Sequence, residues 1–570
     1  MSRRILTAAF IALTSAFLFA PSAVLRAGQQ PAPRYDLVIT NGSVVDGTGN
    51  PWYKADVGVR DGHVVAIGRI DSRNATVVVD AAGKVVSPGF IDLHTHSDIP
   101  LLVDGTAQSK SREGVTLDVL GESASIGPLE GVVLTDLKAQ MKARYNIDVD
   151  WTTVGGYLSR LQRQGVSINV ATSVAPQQVK RGIIGYQDRP ATPGELERMN
   201  GQVAQAMREG AVGLSSAYEG GGYNNPAEII GMAKVAAQHG GYFASHVGSE
   251  GEQLVEEVQK TIDIAEKAGI PAHIYHLKIR GKTLWGKVAP AIKLIEDARA
   301  RGVDITANQY PYTAMQHPWG AIFPAWSKTG PPGTIAKVLA DPANRAKLKT
   351  DKEYLQYLDE HGGHEGTVGT RYVNPALKQY QGKTVAEVAK LRGDTDLDKT
   401  MFDLIQENGN FPDGIYHNQS EDDIKMIMRL PWVAVASDGS ALRPDGVLAE
   451  GVPHPRSFGT NPRVLGKYVR EEHNLTLEEA VRKMTSFPAQ ILRLRDRGMI
   501  KEGYWADLVV FDPATVKDNS TYEKPTLYPT GINHVFVNGV QVIRNGEHTG
   551  AKPGKIVYGA GHTSTPPSQN

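Results

Sequence analysis

The sequence predicts an α/β protein: a (β/α)8 TIM-like barrel with a small β-sandwich built from both termini. Three observations carry this. Short strand-like runs of one character occupy both ends of the chain, from Tyr35 to Lys84 and again from Ala506 to Ile543. The long middle alternates strand-like and helix-like pieces, the pattern of a parallel sheet with crossover helices. Histidines and one aspartate fall at the ends of several of those strands, the face on which such barrels gather reactive side chains.

In chain order, Ser2-Arg3-Arg4 precedes an apolar run from Ile5 to Ala20, with small residues around Ala23 and Ala27. A basic start, an apolar centre and a small-residue cut site read as an export signal over residues 1–27. The run is shorter than the ~20 apolar residues that span a bilayer, so the mature chain is expected in the periplasm or secreted, without an anchor. The paired arginines resemble a twin-arginine signal, but ordinary export signals carry such pairs too.

Residues 34–88 read as the first part of the sandwich, with β-prone runs at Asp36–Ile39, Gly42–Asp46, Val57–Val59, His63–Ile67 and Thr76–Val79. Gly and Asp-Gly turns separate them. Residues 89–490 read as the barrel. Its strands are expected at Val85–Leu93, Gly114–Leu120, Ser167–Val174, Gly213–Ser216, Tyr242–His246, Ala272–Leu277, Asp304–Asn308 and Val433–Ala436. Amphipathic stretches such as Asn200–Glu209, Ala227–Gln238, Leu254–Ala268 and Val288–Ala300 supply outer helices. The irregular, charge-rich stretch 319–423 is the expected insertion or lid. Residues 491–558 complete the sandwich, and 559–570 read as a flexible tail.

The 61 Lys+Arg balance the 61 Asp+Glu, so no basic surface points to nucleic acid or anionic lipid. The chain has no cysteine, which removes disulfides, thiolate metal sites and cysteine nucleophiles together. Any metal must be held by N and O ligands.

The most informative stretch, Gly89–Asp98, contains His94-Thr95-His96. In extended backbone, residues two apart share a face, so His94 and His96 present their imidazoles side by side as a chelate. A His-x-His pair also occurs on ordinary surfaces. Here Ser245-His246, Tyr275-His276-Leu277-Lys278 and Ala436-Ser437-Asp438-Gly439 follow, each at or just after a β-like run. Four strand ends offering four histidines and an aspartate point to a metal centre. For Asp438 the plain alternative is a turn residue before Gly439. His273 has the register of a barrel-interior or supporting residue. His239, His361, His364 and His473 lie in helical or loop contexts expected at the surface, and His63, His534 and His548 belong to the sandwich.

With these pieces in place, the chain resembles the amidohydrolase superfamily and, within it, the N-acyl-D-amino-acid deacylase (D-aminoacylase) group. The resemblance covers nearly all of the mature chain. It rests on Gly89–Asp98, Gly114-Val115-Thr116, Gly213-Leu214-Ser215-Ser216, Ser245-His246, His276-Leu277-Lys278, Tyr310-Pro311-Tyr312-Thr313-Ala314, Ser437-Asp438-Gly439, His454-Pro455-Arg456, Gly459–Gly466 and the closing Asn545–Gly554. It implies a hydrolase with one or two divalent ions, commonly Zn2+. His94, His96 and Asp438 would hold the more buried ion, His246 and His276 the second, and a residue after the second barrel strand would bridge them. The group carries cysteine there; this chain reads Leu120-Gly121-Glu122-Ser123, which puts Glu122 at the position. A carboxylate can bridge two hard or borderline ions through its two oxygens; its plain alternative is a capping or loop carboxylate. Many amidohydrolases bridge instead with a carboxylated lysine, for which Lys180, near the end of an early strand, is the candidate.

The resemblance further implies amide hydrolysis by metal-activated water. Asp438 would act as general base and then general acid. Tyr310 would donate to the oxyanion, or else be a packed rim aromatic. Arg456 and Lys278 would hold a substrate carboxylate, or else serve as structural ion-pair partners. The group's Ser-Thr pair after Tyr-Pro-Tyr is replaced by Gln316-His317, so contacts at that rim are expected to differ. The expected substrate is a small molecule with a free carboxylate, an N-acyl-D-amino acid or a D-containing dipeptide. The alternatives are a cyclic-amide hydrolase of the hydantoinase or dihydroorotase kind, a dipeptidase on the same barrel, or a binding protein on a retired scaffold, whose mark would be a missing ligand.

Overall fold

The computed structural model describes residues 35–187, 189–217 and 225–563, so the expected export signal lies outside the described residues. Among these, eight parallel strands follow one another around a barrel: Phe90–Asp92, Val115–Leu120, Asn169–Thr172, Gly213–Ala217, Tyr242–His246, Ala272–Ile274, Ile305–Gln309 and Val433–Val435. The first three form one ladder and the last five another. Single bridges close both seams: Val174 to Leu214, and Thr95 to Gly439. At the second seam His96 N donates to Gly439 O at 2.8 Å and Asp438 N to His94 O at 2.9 Å. First and last strands are thus stitched together by the metal-ligand candidates themselves.

The run expected as one strand at Val85–Leu93 is two. Val85–Pro88 pairs antiparallel with Leu508–Phe511 in the terminal sheet, and Phe90–Asp92 begins the barrel. The break falls at Gly89, where a Cβ would sit 2.2 Å from Thr116 Oγ1, so only glycine lets the chain pass. The outer helices follow from spacing. Leu254–Ala268 buries Leu254, Val258, Thr261, Ile262 and Ala265, one stripe at helical period. Pro193–Arg208 starts at a capping box between Thr192 and Glu195.

Nine strands from both ends of the chain form one continuous sheet. Ile532–Val537 and His63–Gly68 are five strand spacings apart in its order, about 24 Å if the sheet were flat. Yet Phe536 and Val64 belong to one buried apolar cluster with Leu508 and Val57. The sheet therefore curls over its own core, giving the two facing layers of a sandwich without a break in the ladder. Asp507 ties it to the barrel: its carboxylate accepts from Asn169 Nδ2 at 3.1 Å and Asn538 N at 2.7 Å and pairs with Arg497. The stretch after the sheet straps the barrel base. Gly554 N donates to Val166 O and Val557 N to Val170 O, both at 2.8 Å, and Gly559 N to Gly210 O at 2.9 Å. Of the flexible tail expected at 559–570, residues 559–563 are held by the Gly559 bond and by Thr563 N donating to Arg208 O at 3.0 Å, partners more than 300 residues away that local composition hid, and residues 564–570 lie outside the described residues.

The inserted unit has its own antiparallel sheet, Ala314–Pro318, Asp413–His417, Thr367–Arg371 and Lys383–Thr384, so it begins before the expected residue 319. Trp319, Phe323, Tyr354 and Phe402 form a core separate from that of the barrel. No helix among the described residues is long and apolar enough to cross a membrane.

Removing one partner from a buried ion pair costs about 3–5 kcal/mol, because it strands the other charge. Asp507→Ala should therefore lower the thermal unfolding midpoint clearly, whereas Asp71→Ala, at the exposed Arg73 pair, should leave it within error. Equal midpoints for both variants would remove the anchoring role of Asp507.

Candidate metal centre

Strand ends aim the ligand candidates. His94 and His96 follow the first barrel strand, which stops at Asp92, and His246 ends the fifth. After the second, Gly121 (φ 104°) lies so close to the neighbouring chain that a Cβ would be 2.3 Å from Ser173 O. The glycine turn and Ser123 (φ 61°) swing Glu122 inward. His276 and Asp438, just past the sixth and eighth strands, have φ of 33° and 52°. Left-handed backbone is uncommon for residues with a Cβ and clusters at functional sites.

These side chains converge. His94, His96, Glu122 and Asp438 each bring one ligand atom within 4.8 Å of the others, and so do Glu122, His246 and His276. Glu122 belongs to both groups. Its Oε2 contacts His94 Nε2 and lies 3.1 Å from His96 Nε2, while Oε1 is 3.4 Å from His246 Nδ1. Asp438 Oδ1 is 3.0 Å from His96 Nε2 and 3.6 Å from His94 Nε2; His246 Nδ1 and His276 Nε2 are 2.7 Å apart.

The chemistry of the donor set fits a divalent cation. Burial opposes ionisation of Glu122, but the imidazoles around it, His94 first, hold its carboxyl well below the ordinary range. Asp438 is likewise held well below it against burial, by Arg456 and then His94. Burial, reinforced by the Lys278 ammonium, pushes His276 down to about 4, so at neutral pH it is a neutral imidazole with a lone pair to offer. Against burial, Asp438 and Glu122 push His96 the other way, up to about 10, so a cation entering there would take the place of its proton. Carboxylates and imidazoles crowded together are the N/O set that zinc and similar ions take.

Several supporting residues were not legible in sequence. Asp92 Oδ1 accepts from Ser437 N at 3.0 Å and His94 N at 3.3 Å, fixing the backbone at the ligand candidate His94 to that beside Asp438. The fully buried Lys110 pairs with Asp92 at 2.8 Å and donates to Ser437 Oγ. Glu250 lies 2.9 Å from His276 Nδ1 and pairs with Lys278; a carboxylate behind a ligand imidazole orients it and fixes its tautomer. Asn308 accepts from His276 N at 2.7 Å and meets His273, which is buried in the barrel as its register predicted. The signals were short polar residues inside β-runs, such as Asp92 and Asn308, which mean little until their neighbours are known.

Lys278, Tyr310 and Arg456 line one cavity of about 480 Å³ with His96, Glu122 and Asp438. Arg456 also donates to Asp438 Oδ2 at 2.6 Å, and both cations flank the Tyr310 ring, at 5.0 and 5.5 Å. Gln316 and His317 line the same cavity. Lys180 lies in the helix Pro176–Ile184, not at a strand end, and pairs with Glu228 at 2.8 Å, outside both ligand groups. It is therefore placed as a structural ion pair rather than a bridge. His361 is fully buried, edge-on to Tyr416 at 4.8 Å, not on the surface: the insertion's own core covers it.

Glu122→Gln keeps the size but loses the charge shared by both groups. Metal content or activity should fall at least ~10-fold, as loss of a metal-site interaction does. Wild-type metal content together with wild-type rate would remove Glu122 from the ligand set.

Comparison with known proteins agrees with this geometry. Residues 77–543 match the model of the amidohydrolase family, and residues 22–88 also match the urease alpha-subunit N-terminal domain. Over 533 residues the chain is 32% identical to N-acyl-D-glutamate deacylase of Alcaligenes xylosoxydans xylosoxydans, covering 92% of this chain and 96% of that protein. It is also 32% identical to the D-aminoacylase of the same organism, covering 93% and 99%. The crystal structure of N-acyl-D-glutamate deacylase from Bordetella bronchiseptica, complexed with zinc and a phosphonate mimic of the tetrahedral intermediate, superposes with a TM-score of 0.78 at 29% identity, over 92% of this chain and 100% of that one. With a family match over most of its length and its strand-end ligand candidates gathered at one mouth of the barrel, this chain belongs to the amidohydrolase family.

Proposed function

We propose that this chain hydrolyses the amide bond of N-acyl-D-amino acids, or of D-containing dipeptides. One or two divalent ions, zinc foremost, would be held by His94, His96, Glu122, His246, His276 and Asp438. The observation that carries the reading is that two ligand groups share Glu122 in a cavity also lined by Lys278 and Arg456. Similarity to deacylases over nine-tenths of the chain supports it. The filled ligand positions speak against a retired scaffold.

A divalent ion bound there supplies Lewis-acid polarisation of the amide carbonyl and lowers the pKa of water toward ~7. The chain's own residues do the rest. Asp438, ionised and fixed by Arg456, accepts a proton from the attacking water and returns it to the leaving nitrogen. Burial holds the Tyr310 phenol well above its ordinary pKa, and Gln419 donates to its oxygen at 2.9 Å, so its O–H can donate to the developing oxyanion. Lys278 and Arg456 make a cationic end for the substrate carboxylate. Residues 1–27 read as an export signal that carries the enzyme to the periplasm or outside the cell; basic start and apolar run are the support.

A panel of N-acyl-D-amino acids, N-acyl-L-amino acids and dipeptides, assayed at known metal content, tests this reading. Turnover of the D series, lost on chelation and restored by Zn2+, is expected; no turnover at full metal content ends it. Asp438→Asn keeps the size but cannot take the proton, so turnover should drop ~10²–10⁴-fold. Retention of more than about a tenth of the rate would contradict the assignment.

Arg456→Lys perturbs Asp438 as well, so rate alone is not diagnostic. The informative quantity is the preference for a free acid over its methyl ester or amide. A charge-assisted contact of about 1.5–3 kcal/mol predicts that this preference shrinks roughly ten- to a hundredfold. An unchanged preference moves the carboxylate to Lys278.

A further inference from the structure

Beside the cavity that holds Lys278 and Arg456 lies a second of similar size, about 450 Å³. The two share His96, Glu122, Gln316, Asp413 and Ser440, so they are halves of one cleft that meet over the ligand cluster. Their chemistry differs. His246, His276, Lys278, Tyr310 and Arg456 line only the first half. The second has an apolar wall of Ile99, Leu129, Val133, Leu137, Leu448 and Val452. Facing that wall is a polar side with Asp98, Asp136 and Arg181 and the pairs Arg371–Asp413 at 2.6 Å and Arg144–Glu450 at 3.7 Å.

We propose that this apolar half binds the acyl group of the substrate, and that the acyl group is a medium-length alkyl chain rather than acetyl. The inference rests on the amide-hydrolase reading and deepens it. An amide seated over His96 and Glu122 has its amino-acid part on one side and its acyl part on the other. With the carboxylate drawn to Lys278 and Arg456, the acyl part continues across His96 and Glu122 into the second half. An acetyl methyl is about the size of one water, ~30 Å³, and would leave nearly all of that volume to solvent. Water against an apolar wall is unfavourable, and each methylene that displaces it adds up to about fourfold in affinity.

The test uses the full-length, zinc-loaded enzyme and N-acyl-D-alanines with acetyl, butanoyl, hexanoyl and octanoyl groups. kcat/KM should climb about two- to fourfold per methylene, chiefly through KM. Leu137 is half-buried on the helix Gly131–Tyr145, and Leu137→Asp places a charge in the cleft. It should cut the octanoyl-to-acetyl ratio of kcat/KM at least tenfold, a ratio that does not depend on the folded fraction. A second series holds acetyl constant and lengthens the side chain from D-alanine to D-norleucine. A climb there and not in the acyl series assigns the cleft to the side chain and overturns the proposal. A flat acyl series with good turnover also overturns it and leaves the amide-hydrolase reading standing. Absence of all turnover ends that reading instead, and calorimetry then decides the cleft alone: N-octanoyl-D-alanine binding at least tenfold tighter than N-acetyl-D-alanine supports it, and equal binding overturns it.

Discussion

Four imidazoles and two carboxylates crowded into a largely buried cluster lose hydration, and the surrounding architecture offsets that cost. Charge is balanced residue by residue. Lys110 pairs with Asp92, Lys278 with Glu250 and Arg456 with Asp438, each a buried cation against a carboxylate on or behind the ligand set. Buried pairs of this kind stabilise little in themselves, since desolvation consumes most of the attraction. Their effect here is geometric. Asp92 holds the backbone of His94 and of Ser437 at once, so the two ends of the barrel meet in one register.

Glutamate where the resembling group has cysteine changes the reach of the centre. Glu122 presents Oε2 to His94 and His96 and Oε1 to His246, so its two oxygens would serve where a thiolate would have a single sulfur. Gly121, pressed against Ser173, and left-handed Ser123 flank Glu122 and set the direction of its side chain.

The insertion contributes the cavity rim without burdening the barrel. Gln316, His317 and Asp413 reach the cleft from a sheet whose core of Trp319, Phe323, Tyr354 and Phe402 is packed apart from the barrel core. Side chains at that rim can change with little consequence for the strands that hold the ligands. The separation gives a physical reason why rim residues here depart from the group pattern while the ligand positions keep to it, Glu122 aside.

Periodicity and turn chemistry are local, and they determined the eight barrel strands, their outer helices and the order in which His94, His96, His246, His276 and Asp438 arrive at strand ends. Strand ends were read less well, because the chain leaves the ladder where His276 and Asp438 take left-handed backbone, which no hydrophobic pattern encodes. Contacts between distant segments were decided only in three dimensions. Arg456 on Asp438, Glu250 behind His276 and Lys110 beneath Asp92 join residues 18 or more apart, and no local pattern names the partner of any of them. The same holds for the strap at residues 554–559, for His361 inside the insertion and for Lys180, which a helix carries to Glu228. A side chain's chemistry is written in the sequence, but its pKa, partner and exposure belong to whatever the fold places against it.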